Sequence, residues 1–215
     1  MSIAANIKTL RARSGAGILD CKKALTESDG DLENAMDWLR TKGIASAAKK
    51  ASRIASEGLV GSYIHANGKI GVLLEINCET DFVALNDGFQ ALVRDVAMHI
   101  AAAAPEYVSR DEVPEDVVSK ERAVQMARTM EEGKPEAIAA KIVDGRMNKW
   151  FQDICLLEQK YVKADDKTVE DVVKDSVATI GENIKIRRFS RFVLGEGLEK
   201  RSDDFAAEVA AQVGL

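Results

Sequence analysis

The sequence predicts an α+β fold: an N-terminal module of three helices, a helical connector, a core in which helices cover a small antiparallel sheet, and a C-terminal helix. Apolar residues recur at helical spacing in three short blocks within the first 43 residues. One strong hairpin signal, Asn67-Gly68, then separates two strand-like runs. Helical stripes return after it in clusters rather than in alternation with strands, the order that separates α+β from α/β chains. The segments so defined are 1–43 for the module, 44–56 for the connector, 57–195 for the core and 196–215 for the C-terminal segment.

In the module, Ile3, Ile7 and Leu10 share one helical face, as do Ile18, Cys21 and Leu25, and then Leu32, Ala35, Met36 and Leu39. Ser14-Gly15-Ala16-Gly17 breaks the first pair and Ser28-Asp29-Gly30 the second, with Asp31 as an N-cap and Gly43 as a C-cap glycine. Residues 44–56, rich in Ala, Ser and Lys, suit an exposed, flexible connector. A two-residue type I′ turn at Asn67-Gly68 sets Tyr63 opposite Val72, Gly61 opposite Leu74 and Leu59 opposite Ile76 on the buried face. Phe89, Leu92, Val93, Val96 and Ile100 mark a long helix. Pro135 opens another through Ile142, Met147, Trp150 and Phe151. Thr168 to Asp171 reads as a capping box before a helix ended by Gly181, and a third strand follows from Ile184 to Leu194. Asp203 and Asp204 suit the start of a last helix bearing Ala206, Val209, Ala210 and Val213.

The bulk numbers exclude several classes. Of 215 residues, 46% are hydrophobic and 30% charged, and no apolar run approaches the ~18–20 residues of a membrane span. Met1-Ser2-Ile3-Ala4 runs directly into a helical pattern without the features of a secretory signal, so a cytoplasmic protein is expected. A net charge of −5 argues against a protein that grips phosphate backbones. Cys21, Cys78 and Cys155 are odd in number and far apart, which suggests buried thiols rather than disulfides or zinc.

Catalytic constellations are not evident, and neither a cofactor nor a metal is expected. His65 and His99 lack carboxylate or thiol partners at triad or ligand spacing. Gly15-Ala16-Gly17 has Asp20 where a dinucleotide loop needs its third glycine, and no strand precedes it. Cys21 falls on the inner face of its helix. The basic run from Ile184 to Arg191 fits a solvated strand face better than an RNA platform. Thr80-Asp81-Phe82-Val83-Ala84 lies on a connector, and two readings stand for it: Phe82 as a core plug with Asp81 as a cap, or Phe82 as a projecting apolar finger beside a carboxylate.

The stretches Gly15-Ala16-Gly17-Ile18-Leu19-Asp20-Cys21-Lys22-Lys23-Ala24-Leu25 and Asn77-Cys78-Glu79-Thr80-Asp81-Phe82-Val83-Ala84 resemble the two signature segments of the elongation factor Ts family. Ile180-Gly181-Glu182-Asn183-Ile184 with Arg187-Arg188, and Gly195-Glu196-Gly197 through Val209, resemble further family segments. Ser14 and Ile18 stand where many relatives have Thr and Met, and only one core hairpin is present, as in the short form of the family. The resemblance implies a ubiquitin-associated-like N-terminal module. It also implies exchange-factor activity without covalent catalysis on elongation factor Tu, in its GDP-bound and nucleotide-free forms. Thr80, Asp81, Phe82 and Val83 would disturb the Mg²⁺ and phosphate site of Tu, and Gly15, Ala16, Gly17 and Ile18 would contact its nucleotide domain. A homodimer or a two-plus-two complex with Tu is expected, without direct nucleic-acid or membrane contact, in a bacterial cytoplasm or a plastid stroma. The alternative is a general protein-binding adaptor that uses the same N-terminal module.

Overall fold

The computed structural model describes residues 3–133 and 135–199, and the last helix expected after Asp203 lies outside them. The fold is α+β. Helices α1 (Ile3–Ser14), α2 (Ile18–Glu27) and α3 (Leu32–Lys50) close around Leu10, Cys21, Ala24, Leu25 and Ala35. Asp31 caps α3 as expected, accepting from the Asn34 N–H at 2.7 Å.

Gly43 does not end a helix. Helix α3 runs on to Lys50, through most of the expected connector, and Ala47 is buried in the main core. The reason is close packing against α8 (Val169–Ile180): a Cβ at Gly43 would sit 3.1 Å from the Ala178 Cβ. Small residues there permit helix contact rather than marking a solvated linker.

Strands β1 (Glu57–Ile64), β2 (Ile70–Cys78) and β5 (Lys185–Val193) form one antiparallel sheet in the order β1-β2-β5. The expected register holds, with Tyr63 opposite Val72, Gly61 opposite Leu74 and Leu59 opposite Ile76. The turn is a different one. Type I′ needs positive φ at both central residues, yet Gly68 has φ +69 while Asn67 keeps an ordinary negative value. The Gly68 N–H instead reaches the His65 carbonyl at 2.7 Å, and Asn67 Oδ1 takes the Lys69 N–H at 3.2 Å. The loop is therefore wider, with the same pairing beyond it.

Helix α5 (Asp87–Ala103) lies across the inner face, capped by Asn86, whose Oδ1 accepts from Gly88 and Phe89. It crosses β1 so closely that a Cβ on Gly61 would meet Val93 Cγ1 at 2.3 Å. Val72, Leu74, Ile76, Phe89, Val96 and Ile100 are sealed between the two layers. Helix α8 starts at the expected capping box, with Thr168 and Asp171 bonded both ways, and Gly181 closes it at φ +94. The N–H of Thr168 also holds the Asp171 carboxyl below its usual range.

Two features had no clear sequence signal. Helix α6 (Glu115–Glu131) pairs with α7 (Glu136–Ile154) through Arg122–Asp144 at 2.8 Å and Arg146–Glu132 at 2.8 Å. Strands β3 (Lys160–Tyr161) and β4 (Ala164–Thr168) make a small ribbon beside α8. No described helix is long and apolar enough to cross a membrane.

The three cysteines are free and buried. His99, also fully buried, ties the ribbon to α5: its Nδ1 accepts from the Val162 N–H at 3.3 Å, leaving Nε2–H to donate to Gln159 Oε1 at 2.9 Å. Burial holds its pKa below the ordinary 6.5, because the charged imidazolium is poorly solvated there, and the Gln159 hydrogen bond offsets this only in part. The neighbouring Tyr161 hydroxyl, pushed up to about 12 by burial, stays neutral throughout. Below the unfolded pKa the unfolded chain takes a proton that the folded chain refuses, so stability is full above that value and is lost as pH falls through 6.5 towards the folded pKa. The urea midpoint should be level well above pH 6.5 and fall as the pH drops through 6.5, and His99→Gln should flatten that fall. A level wild-type profile would contradict the assignment.

Candidate functional site

Strand β2 ends on buried Cys78, and the chain then makes helix α4 (Asp81–Ala84), a single turn leading into α5. Its cap is Thr80, whose Oγ accepts from the Val83 N–H at 3.4 Å. Asp81 is therefore not the cap. It occupies the first helical position, where its Oδ1 takes the Phe82 N–H at 3.0 Å and its charge suits the helix N-terminus.

The turn has two sides. Ala84 is buried and Val83 packs on the main core, which seats the helix. Phe82 points away, 80% exposed, with Leu85, three residues further on, at 72%. Of the two readings open for Phe82, the core plug is ruled out. A large aromatic left in water on an ordered turn contributes nothing to folding by burial.

The seat is fixed by polar bonds from a distant segment. Glu182 Oε2 accepts from the N–H groups of Glu79 and Thr80, each at 3.0 Å, and its Oε1 accepts from Thr80 Oγ–H at 2.7 Å. Glu79 Oε1 in return accepts the Asn183 N–H at 2.6 Å and faces Arg53 at 3.4 Å. Cys78 Sγ–H donates to the Thr80 carbonyl at 3.1 Å, and burial raises the pKa of that thiol. Among the described residues no cluster of three His, Cys, Asp or Glu side chains could hold a metal.

The second expected stretch, Gly15 to Ile18, belongs to the module. Gly15 takes φ +67 and lies against Thr179 of α8, Ala16 packs on the module core, and Gly17 precedes α2 in extended conformation. Ile18 was expected on the buried face with Cys21 and Leu25. It is instead 55% exposed, because the inward stripe of α2 is Cys21, Ala24 and Leu25, and Ile18 sits at its edge. Leu19, at 81% exposure, stands next to it. Neither Leu19 nor Leu85 stood out beforehand, although Leu19 lies off the i, i+3, i+7 stripe of its helix, which is the available signal. The two stretches are thus separate apolar projections on separate cores.

Strand β5 carries Arg187 and Arg188 side by side. A bulge opposite Glu75 and Ile76 leaves Arg187 unpaired in the ladder, so both guanidiniums reach Glu75, at 3.6 and 2.7 Å. The Arg188 hydrogen bond holds the Glu75 carboxyl below its usual range. Arg187 and Arg188 are therefore locally paired with Glu75, while Arg191 donates to the Ala101 carbonyl.

Comparison with known proteins identifies the family. A family model described as Elongation factor TS matches residues 44–196. A protein named Elongation factor Ts from Geobacter metallireducens is 63% identical over 216 residues, covering all of both chains. One of that name from Geobacter sulfurreducens is 61% identical with the same coverage. Another, from Desulforamulus reducens, is 58% identical over 98% of this chain and 97% of its own.

Proposed function

The chain belongs to the elongation factor Ts family, and we propose that it is the guanine-nucleotide exchange factor of elongation factor Tu, promoting GDP release so that GTP can bind. The observation that carries this reading is Phe82, a fully formed apolar projection that the fold holds out of its own core. GDP on Tu is held by Mg²⁺ and by backbone donors around the phosphates, so an exchange factor works by favouring a Tu conformation in which those contacts are lost. It can shift that balance only by its differential affinity. Burial of one Phe side chain supplies about 1.5–3 kcal/mol, a factor of roughly ten to a hundred, before ordering costs. Asp81, exposed beside Phe82, brings a carboxylate towards the metal's water network. No covalent bond is made or broken on this chain, and the site of action is the bacterial cytoplasm.

The module adds affinity through Ile18, at the exposed edge of α2. The division into an N-terminal module and a core is part of this reading, with α3 shared between them rather than followed by a free connector at residue 44. The exchange reading predicts that substoichiometric protein accelerates loss of fluorescent GDP from Tu, whereas an adaptor leaves the rate unchanged. Phe82→Ala should lower the stimulated rate about tenfold or more with an unchanged melting temperature, since no native packing is lost. Normal stimulation by the variant would remove the wedge. Ile18→Asp should weaken binding to nucleotide-free Tu, measured by titration calorimetry, with folding intact, and equal affinity would remove the module contact.

Self-association has its own observation. On the outer face of the sheet Val60, Ile64, Leu73 and Phe192 are exposed, and Ile64 and Phe192 flank Gly71 in register, with the Ile64 side chain lying over that glycine. A second copy laid on this face gives a symmetric dimer and a two-plus-two complex with Tu. Light scattering should give twice the chain mass for the wild type and the chain mass for Phe192→Asp. A monomeric wild type would refute the dimer.

A further inference from the structure

A four-residue helix cannot hold its own orientation, because nearly all its N-terminal donors lie outside its hydrogen-bond ladder. The β2–β5 ladder reaches Asn77 opposite Lys185 and stops there. What directs the chain after Cys78 is therefore not the sheet. Val83 and Ala84 seat the C-terminal end of the turn on the core, and its N-terminal end is oriented by Glu182, 103 residues from Glu79 in sequence, which takes the N–H groups of Glu79 and Thr80 on one oxygen and the Thr80 hydroxyl on the other. That hydroxyl is then fixed to accept the Val83 N–H inside the turn. Asn183, buried beside it, anchors the junction by donating Nδ2 to the Arg53 carbonyl at 2.8 Å.

We propose that Glu182 is the positioning residue for Phe82: its carboxylate sets the direction of α4 and so keeps the aromatic ring outside the core in the attitude in which it meets its partner. This rests on the wedge reading of Phe82. The surrounding fold does not need the carboxylate, since Val177, Ile184 and Ile186 bury their side chains in the main core on either side of it. Without Glu182, two backbone N–H groups and a hydroxyl lose a charged acceptor, and the N-terminal end of α4 is released to pivot on the Val83 and Ala84 seat. Only the fraction of molecules with α4 correctly turned would then drive exchange.

The test uses the full chain and Tu loaded with fluorescent GDP, comparing Glu182→Ala, Phe82→Ala and the double variant. If the competent fraction falls to a tenth, Glu182→Ala lowers the stimulated release rate about tenfold. In the Phe82→Ala background it should lower the rate no further, because there is no ring left to aim. Glu182→Gln, which keeps one acceptor oxygen, should recover part of the rate, and it carries the same comparison if the alanine variant does not fold. Chymotrypsin should nick the chain after Phe82 faster in Glu182→Ala than in the wild type. An equal loss in both backgrounds, or no loss from Glu182→Ala, overturns the positioning role while leaving the wedge intact. A wild-type rate from Phe82→Ala alone overturns both.

Discussion

A three-stranded sheet backed by one layer of helices must bury one face and leave the other in water, and β2 is the strand on which this constraint acts most strongly. Its alternate residues Val72, Leu74, Ile76 and Cys78 are all buried, and both of its edges are paired. The inner layer is α5, brought close enough by Gly61 that no side chain separates β1 from Val93. The projections of the main core are referred to this strand: the outer apolar face by its register, and α4 by the point at which it ends.

The place where β2 ends is also where three distant segments meet. Carboxylates cross in opposite directions between Glu79 and the Asn183 N–H, and between Glu182 and the Glu79–Thr80 backbone. Asn183 adds the Arg53 carbonyl just past α3. Helix α3 belongs at one end to the module core and at the other to the main core through Ala47. The module core and the Phe82 turn are thereby connected through α3 and one hydrogen-bonded junction.

Much of the pairing was legible beforehand because strand register follows from alternation, and alternation survives an incorrect turn type. Gly61, Leu59 and Tyr63 found their partners although Asn67 did not take the positive φ of a type I′ turn. Helix α6 was not legible, since its charged surface contacts little beyond α7 and its few valines carry no clean stripe. Gly43 was misread because a glycine at a helix crossing and a glycine at a helix end look alike in sequence. The orientation of Phe82 was open for a similar reason. Aromatic residues are mostly buried, and only the opposing seats of Val83 and Ala84, with the pull of Glu182 on Thr80, turn this one outward.

The free protein presents Phe82 to solvent, and in the proposed function Tu covers it. Hydroxyl-radical footprinting read by mass spectrometry addresses both halves on one residue. Phe82 should be among the most heavily oxidised aromatics of the free chain, far above buried Phe89, and should be strongly protected in the complex with nucleotide-free Tu. Weak labelling of Phe82 in the free protein, or labelling unchanged by Tu, would contradict the account.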